Sequence, residues 1–205
     1  LFRSMRGESY SAGGIKTTVA ATRSASDEVL RANTSRLVAE MYRAGITTFE
    51  SKSGYALDVE NEARTLQIAS EFTAETTFLG AHVIPAEFEN NREGYIQLVK
   101  NEMLDVVTPY AKWIDVFCDQ GAFNPEQSEA ILRAGVAHGA LPRIHANQLT
   151  AGKGVELAVS LNAASADHLS KSSAADIALL ASSNTVATLL PGAEFSTHLE
   201  SNLGR

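Results

Sequence analysis

The sequence predicts an α/β protein built as an incomplete (β/α)8 barrel, and two patterns support this fold class. Short apolar or β-branched runs alternate with longer segments of helical period, which is typical of parallel strands joined by right-handed crossovers. The run Ser51-Lys52-Ser53-Gly54-Tyr55 after the first predicted strand is no glycine-rich phosphate loop, which disfavours a nucleotide-binding open sheet. Six strands are predicted, whereas a closed barrel has eight. An open doubly wound sheet and a barrel without two of its strands both fit that count.

The predicted elements follow one another as strand and helix. The strands span residues 46–50, 76–79, 113–117, 141–145, 165–168 and 185–190. The helices span residues 27–43, 59–71, 92–107, 125–138, 153–161 and 172–182. Ser26 and Asn124 are predicted N-caps, the second followed by a proline, and Gly45 and Gly139 are predicted left-handed residues after helix ends.

Bulk properties restrict the function classes. The chain has 205 residues, of which 44% are hydrophobic and 20% are charged, which suits one globular domain covering residues 1–205. A formal net charge of -7 argues against a nucleic-acid partner. No apolar run is long enough for a membrane span, and residues 1–10 do not resemble a secretory signal. The single cysteine, Cys118, is expected to be a buried small hydrophobe and suits a cytoplasmic location.

The two ends of the sequence read as abrupt. The first residue is Leu1 rather than methionine, and residues 201–205 show no helix-capping pattern. We expect the chain to be a fragment of a longer protein, which also favours the incomplete barrel over the open sheet.

Three histidines close predicted strands: His82, His145 and His168. The carboxyl ends of parallel strands open onto one face, where ligands bind, so these imidazoles are expected to converge. A single histidine at such a position is more often satisfied by backbone groups, but three at equivalent positions favour a catalytic mouth with a metal.

Other polar side chains are expected on the same face. Gln148 follows His145 by one turn and offers both a donor and an acceptor. Tyr55, with Lys52 and Ser53, follows the first strand, and a surface loop turning at Gly54 explains that run equally well. The diglycine at residues 13–14 is interpreted as a flexible turn, and His138, at a helix end, as structural.

Seven motifs follow one another along the chain. They are Gly13-Gly14-Ile15 with Thr18-Val19, Glu50-Ser51-Lys52-Ser53-Gly54-Tyr55-Ala56-Leu57-Asp58, Thr77-Phe78-Leu79-Gly80-Ala81-His82, Asp115-Val116-Phe117-Cys118, His145-Ala146-Asn147-Gln148-Leu149, Ala166-Asp167-His168-Leu169 and Leu189-Leu190-Pro191-Gly192-Ala193. In this order and register they resemble the imidazolonepropionase family of the amidohydrolase superfamily. The resemblance runs from about residue 1 to residue 195, and the common register of the motifs makes it specific.

The resemblance implies a partial (β/α)8 TIM barrel of the metal-dependent hydrolase type. Strands two to seven of that barrel are expected in this chain, and the β-sandwich domain of the family is expected to be missing. The implied reaction is hydrolysis of 4-imidazolone-5-propanoate to N-formimidoyl-L-glutamate in histidine degradation. The implied cofactor is one Zn or Fe ion per complete active site, and the family habit is a homodimer.

Residue roles follow from the matching motifs. His145 is implied as a metal ligand, and Tyr55, His82 and Gln148 as substrate contacts. His168 is implied as the acid/base histidine or as a histidine that supports the metal ligands, and His82, His168 or a carboxylate outside this chain would have to move protons. Some family members carry glutamate at the Gln148 position, but a glutamine cannot serve as a base.

The family's H-x-H metal pair, its substrate-binding arginine and its aspartate ligand have no counterpart in the 205 residues. Neither Asp119 nor Asp167 is assigned as a replacement ligand. We therefore expect the chain alone to be inactive and to self-associate through exposed barrel edges. A related deaminase of the superfamily and a decayed, non-catalytic binding barrel are the alternatives.

Overall fold

The computed structural model describes residues 13–197. Within that range six parallel strands form one sheet in the order β1-β2-β3-β4-β5-β6, each paired with the next along the chain. Their bounds are β1 Ser51–Lys52, β2 Thr76–Ala81, β3 Trp113–Cys118, β4 Leu141–Ala146, β5 Ser165–His168 and β6 Val186–Thr188. A doubly wound sheet reverses its strand order at a switch point, and this sheet does not, so the partial barrel is confirmed.

Helices flank the curled sheet. They are α1 Gly13–Ser24, α2 Asp27–Arg43, α3 Val59–Ser70, α4 Arg92–Leu98, α5 Leu104–Val107, α6 Pro125–Ala137, α7 Gly154–Ser160, α8 Ala174–Ala181 and α9 Pro191–Thr197. A 3-10 turn, Ala86–Phe88, precedes α4. No helix within residues 13–197 is long and apolar enough to cross a membrane.

The predicted helix boundaries depend on caps that the structure contains. The Ser26 side chain accepts a hydrogen bond from the backbone N of Val29. Asn124 and Gln127 form a reciprocal capping box at the start of α6. Gly45 and Gly139 adopt φ values of 82° and 92°, the left-handed conformation predicted for residues that follow a helix.

Four predicted elements differ from the structure. The first strand is Ser51–Lys52 rather than residues 46–50, because β1 pairs only with β2 and only at those two residues. The last strand is shortened to Val186–Thr188 for the same reason, since β5 is its one partner in the described chain. The diglycine is no flexible turn but the first turn of α1. The predicted helix 92–107 is interrupted by a π-helical stretch, Val99–Met103.

The core lies between the sheet and its flanking helices, and it includes the fully buried Phe78, Ile114, Ile131 and Ile144. Helix α6 approaches β3 closely at Gly135, where an added Cβ would lie 2.3 Å from Ile114 Cδ1. Cys118 is buried as expected, and burial raises the pKa of its thiol. This packing fixes the positions at which the strands end.

Candidate functional site

The structure brings the three predicted strand-end histidines into one row. His145 belongs to β4 and His168 ends β5, and their ring centroids lie 5.1 Å apart. His82 follows β2, and the Phe117 ring stands between it and His145, with centroid distances of 6.0 Å on each side. Adjacent strands in register therefore place side chains from three distant sequence segments along one end of the sheet.

Tyr55 extends this row beyond His82. Its ring meets the His82 ring edge-on at a centroid distance of 5.1 Å, and the residue stays 40% exposed. Tyr55 thus lies beside the histidines, and Gly54 makes the predicted turn of the same loop with φ of 95°.

His82 is held by a backbone carbonyl. Its Nδ1 lies 3.0 Å from the oxygen of Gly54, a distance at which Nδ1–H donates a hydrogen bond. Burial lowers the pKa of His82 to about 4, against the opposing effect of the Gly54 hydrogen bond. The imidazole is therefore neutral at pH 7, and Nε2 is its acceptor nitrogen.

His168 is oriented by a carboxylate. Its Nδ1 lies 3.1 Å from Glu194 Oε1, which also accepts a hydrogen bond from Ser170 Oγ at 3.0 Å. His168 has a φ of 76°, which is uncommon for a residue with a side chain. Burial and the neighbouring His145 lower the pKa of His168, so this ring too is favoured in its neutral form.

His145 sits above a cluster of buried charges. Its Nδ1 lies 2.9 Å from Asp115 Oδ2, although the ring N–H does not point straight at that oxygen. Lys52 Nζ lies 2.8 Å from the same Asp115 oxygen and 3.5 Å from Asp167 Oδ2. Glu50 and Arg143 form a second layer, in which Glu50 pairs with both Lys52 and Arg143. Glu50 precedes Lys52 by two residues and Arg143 precedes His145 by two, so each pair faces the same side of the sheet.

The pKa values in this cluster follow from its opposite charges. Burial disfavours every charged form, but the three carboxylates around Lys52 outweigh burial and raise its pKa. The pKa of Asp115 is lowered because His145 and Lys52 outweigh its own burial. For His145, burial lowers the pKa and the Asp115 carboxylate raises it more. Each charge in the cluster is thus stabilised by its neighbours.

The described residues contain one group that could hold a metal ion: Asp115, His145 and Asp167 offer ligand atoms within 4.8 Å of one another. Oxygen and imidazole donors suit Zn²⁺, Fe and Mn²⁺ alike. Asp167 Oδ1 and His145 Nδ1 are buried and make no hydrogen bond among the described residues, although His145 Nδ1 lies 2.9 Å from Asp115 Oδ2. The Lys52 ammonium, however, already lies between the two carboxylates. The arrangement therefore suits His145 to binding a metal ion, and it suits Asp115 and Asp167 to pairing with the Lys52 ammonium.

Gln148 lies in the loop after β4, which the Asp119 carboxylate holds in place. The Asp119 carboxylate accepts hydrogen bonds from the backbone N of Gln148 at 2.9 Å, Leu149 at 2.8 Å and Thr150 at 3.1 Å. Asp119 thus fixes the conformation of the loop after β4. Gln148 itself is buried.

Sequence reasoning missed Asp115, Glu194 and the part that Asp167 plays. Asp115 had a readable signal, because it is a lone carboxylate inside the buried apolar strand Trp113–Cys118. Asp167 precedes His168 in β5 and faces Lys52, a contact that depends on barrel curvature. Glu194 carried no local signal, since its contact with His168 spans 26 residues.

Comparison with known proteins identifies the relatives of this chain. It is 60% identical over 193 residues to the imidazolonepropionase of Mycolicibacterium smegmatis, covering 94% of this chain and 49% of that protein. It is 59% identical over 196 residues to the imidazolonepropionase of Streptomyces avermitilis, covering 96% of this chain and 47% of that protein. The imidazolonepropionase of Streptomyces griseus is 59% identical over 193 residues, with 94% and 50% covered. No protein-family model matches the chain. The chain spans about half the length of the curated relatives it matches, and it is homologous to the imidazolonepropionases as a partial chain.

Proposed function

We propose that this chain supplies the central part of the active-site barrel of a hydrolase in histidine degradation. The substrate would be 4-imidazolone-5-propanoate and the product N-formimidoyl-L-glutamate. The observation that carries the proposal is the row formed by Tyr55, His82, His145 and His168 at one end of the sheet. The name of the relatives, imidazolonepropionase, supports the same activity.

Hydrolysis forms one C–O bond between water and the ring carbonyl carbon and breaks the adjacent ring C–N bond. The proton removed from water must end on the leaving nitrogen. A divalent ion such as Zn or Fe, bound in part by His145, would supply a nucleophile at neutral pH, because such an ion lowers the pKa of a bound water to about 7. The other ligands of that ion would come from residues beyond these 205, since one histidine does not hold a catalytic metal.

His168 is suited to the proton transfer. With Nδ1 donating to Glu194, its second ring nitrogen is available to take a proton from water and return it to the leaving nitrogen. The geometry repeats a carboxylate–histidine pair, in which the carboxylate fixes the tautomer and stabilises the imidazolium that forms. Gln148 cannot take this role, because an amide does not accept a proton near pH 7.

His82 and Tyr55 would hold the substrate. A neutral His82 presents Nε2 as an acceptor, which suits a ring N–H of the imidazolone, or as the second proton carrier. The Tyr55 hydroxyl would donate to the ring oxygen or the propanoate, and Gln148 would add a donor and an acceptor. Holding the ring in one orientation uses binding energy to lower the activation free energy of the reaction. We further propose that the protein works in the cytoplasm and as a homodimer, as its composition and the family resemblance suggest.

The test measures turnover of 4-imidazolone-5-propanoate as the rate at which N-formimidoyl-L-glutamate forms. We expect activity from this chain joined to the segments that complete the relatives' length, and none above background from the 205 residues alone. His145→Ala is expected to lower kcat by at least about a thousandfold by removing a metal ligand. His138→Ala is the matched control, because His138 caps α6 at the opposite end of the strands and contacts Ala134 and Asp105. If the completed protein binds the substrate but does not turn it over, the chain belongs to a binding module and not to a hydrolase.

A further inference from the structure

The loop that carries Tyr55 has an irregular backbone that needs an acceptor. Between β1 and α3 the chain turns at Gly54, with φ of 95°, and at Leu57, with φ of 59°. The backbone N–H groups of Gly54, Ala56 and Leu57 point inward in this loop. Buried N–H groups without an acceptor are costly, so something must receive all three.

A single carboxylate receives them. Glu62, from the first turns of α3, accepts hydrogen bonds from Gly54 N at 3.0 Å, Ala56 N at 2.9 Å and Leu57 N at 2.8 Å. Glu62 is 0% exposed. Hydrogen bonds to an ionised carboxylate are about twice as strong as those between neutral groups, which makes this anchor stiff.

The anchored loop is also the partner of His82. Gly54 donates its N–H to Glu62 and accepts the His82 Nδ1 proton on its carbonyl oxygen, so one residue links the carboxylate to the imidazole. The loop lies tightly on β2 at this point. A Cβ added to Gly54 would stand 2.5 Å from the Leu79 carbonyl oxygen, and the Leu79 N–H donates to Ser53 Oγ at 3.1 Å.

We propose that Glu62 is a positioning residue of the histidine row. It fixes the Gly54 carbonyl, so that His82 keeps its proton on Nδ1 and presents an unprotonated Nε2 beside Tyr55. The significance of that tautomer for catalysis rests on the proposed function. The geometric relation itself does not, because it involves only the described residues and no substrate.

The test reads the ring nitrogens of His82 by ¹⁵N NMR at pH 7 in the 205-residue chain, with a His82→Gln variant to assign the signals. The wild-type ring is expected to be protonated at Nδ1 alone. In Glu62→Gln the loop loses its charged acceptor, and the amide brings two N–H donors towards backbone donors. We expect both His82 tautomers to be populated, with thermal unfolding checking that the variant is folded.

Glu60→Gln is the matched control. It removes the same charge from the same helix turn at an exposed position, and the His82 spectrum should stay as in the wild type. A wild-type ring protonated at Nε2 would overturn the proposal, and so would a folded Glu62→Gln variant with an unchanged tautomer. If Glu62→Gln does not fold, Glu62→Asp is the second variant, because it keeps the charge on a shorter side chain. It is expected to give both His82 tautomers, and a His82 ring still protonated at Nδ1 alone would overturn the proposal. If the completed protein shows no hydrolase activity but His82 is protonated at Nδ1, the proposed function is wrong. The positioning of His82 by Glu62 through Gly54 would still hold.

Discussion

Lys52 Nζ lies 2.8 Å from Asp115 Oδ2, so a buried ion pair joins the first and third strands directly beside His145. Asp115 is fully buried and also touches His145, so its charge depends on cations supplied by two other strands. Removing one partner of such a pair leaves an uncompensated charge in a low-dielectric site.

Lys52→Met is therefore expected to lower the free energy of unfolding by about 3 kcal/mol, measured by urea titration at pH 7. Lys112→Met is the matched control. Lys112 also contacts a carboxylate, Glu75, at 2.6 Å, but its side chain is 44% exposed, and a loss below about 1 kcal/mol is expected. Equal losses in the two variants would mean that the Lys52–Asp115 pair is not the buried anchor described here.

The pH dependence of stability should carry the signature of His82. Its pKa is about 4 when folded and 6.5 as an ordinary value, so only the unfolded chain binds the proton between these limits. Its stabilising contribution is present above pH 6.5 and is lost as pH falls towards 4. From pH 7 to pH 5 the wild type should lose about 2 kcal/mol more than His82→Gln, because one pKa unit corresponds to about 1.4 kcal/mol. Parallel urea-unfolding curves for the two proteins at both pH values would contradict this assignment.

Part of this architecture could be predicted from the sequence and part could not. The alternation of β-branched runs with capped helices predicts parallel strands joined by helices, because caps such as Asn124 and turns such as Gly139 are local signals. The row of histidines follows from strand ends alone. Partners such as Lys52 with Asp115, 63 residues apart, depend on the curvature of the sheet, which no local pattern encodes.

The loop that presents Gln148 should depend on Asp119. Asp119→Asn replaces a charged acceptor of four backbone N–H groups, three of them in this loop, and of the Thr150 hydroxyl with an amide, and about 2 kcal/mol of stability should be lost. Limited proteolysis should then cut within the loop after β4 earlier than in the wild type. Asp105→Asn, at a 71% exposed side chain, is the control and should change neither measurement.

The sheet edge at β6 is expected to mediate self-association. Val186 is 61% exposed, and next to it lies an apolar groove of about 390 Å³ lined by Leu169, Ile177, Leu180, Ala187 and Leu189. Among residues 13–197, β6 pairs only with β5, and an apolar edge strand of this kind is a template for pairing with another chain. Light scattering should show dimers or larger species, and Val186→Lys should shift them towards monomer. A wild type that stays monomeric at high concentration would remove this expectation.

His145 is proposed to be one ligand of a metal site that residues beyond these 205 complete, while Lys52 occupies the place between Asp115 and Asp167. Elemental analysis of the purified 205-residue chain, beside His145→Ala, tests it most directly. We predict well under one metal ion per chain in both proteins. About one ion per chain in the wild type, absent from His145→Ala, would show that Asp115, His145 and Asp167 form a complete metal site and would contradict the account.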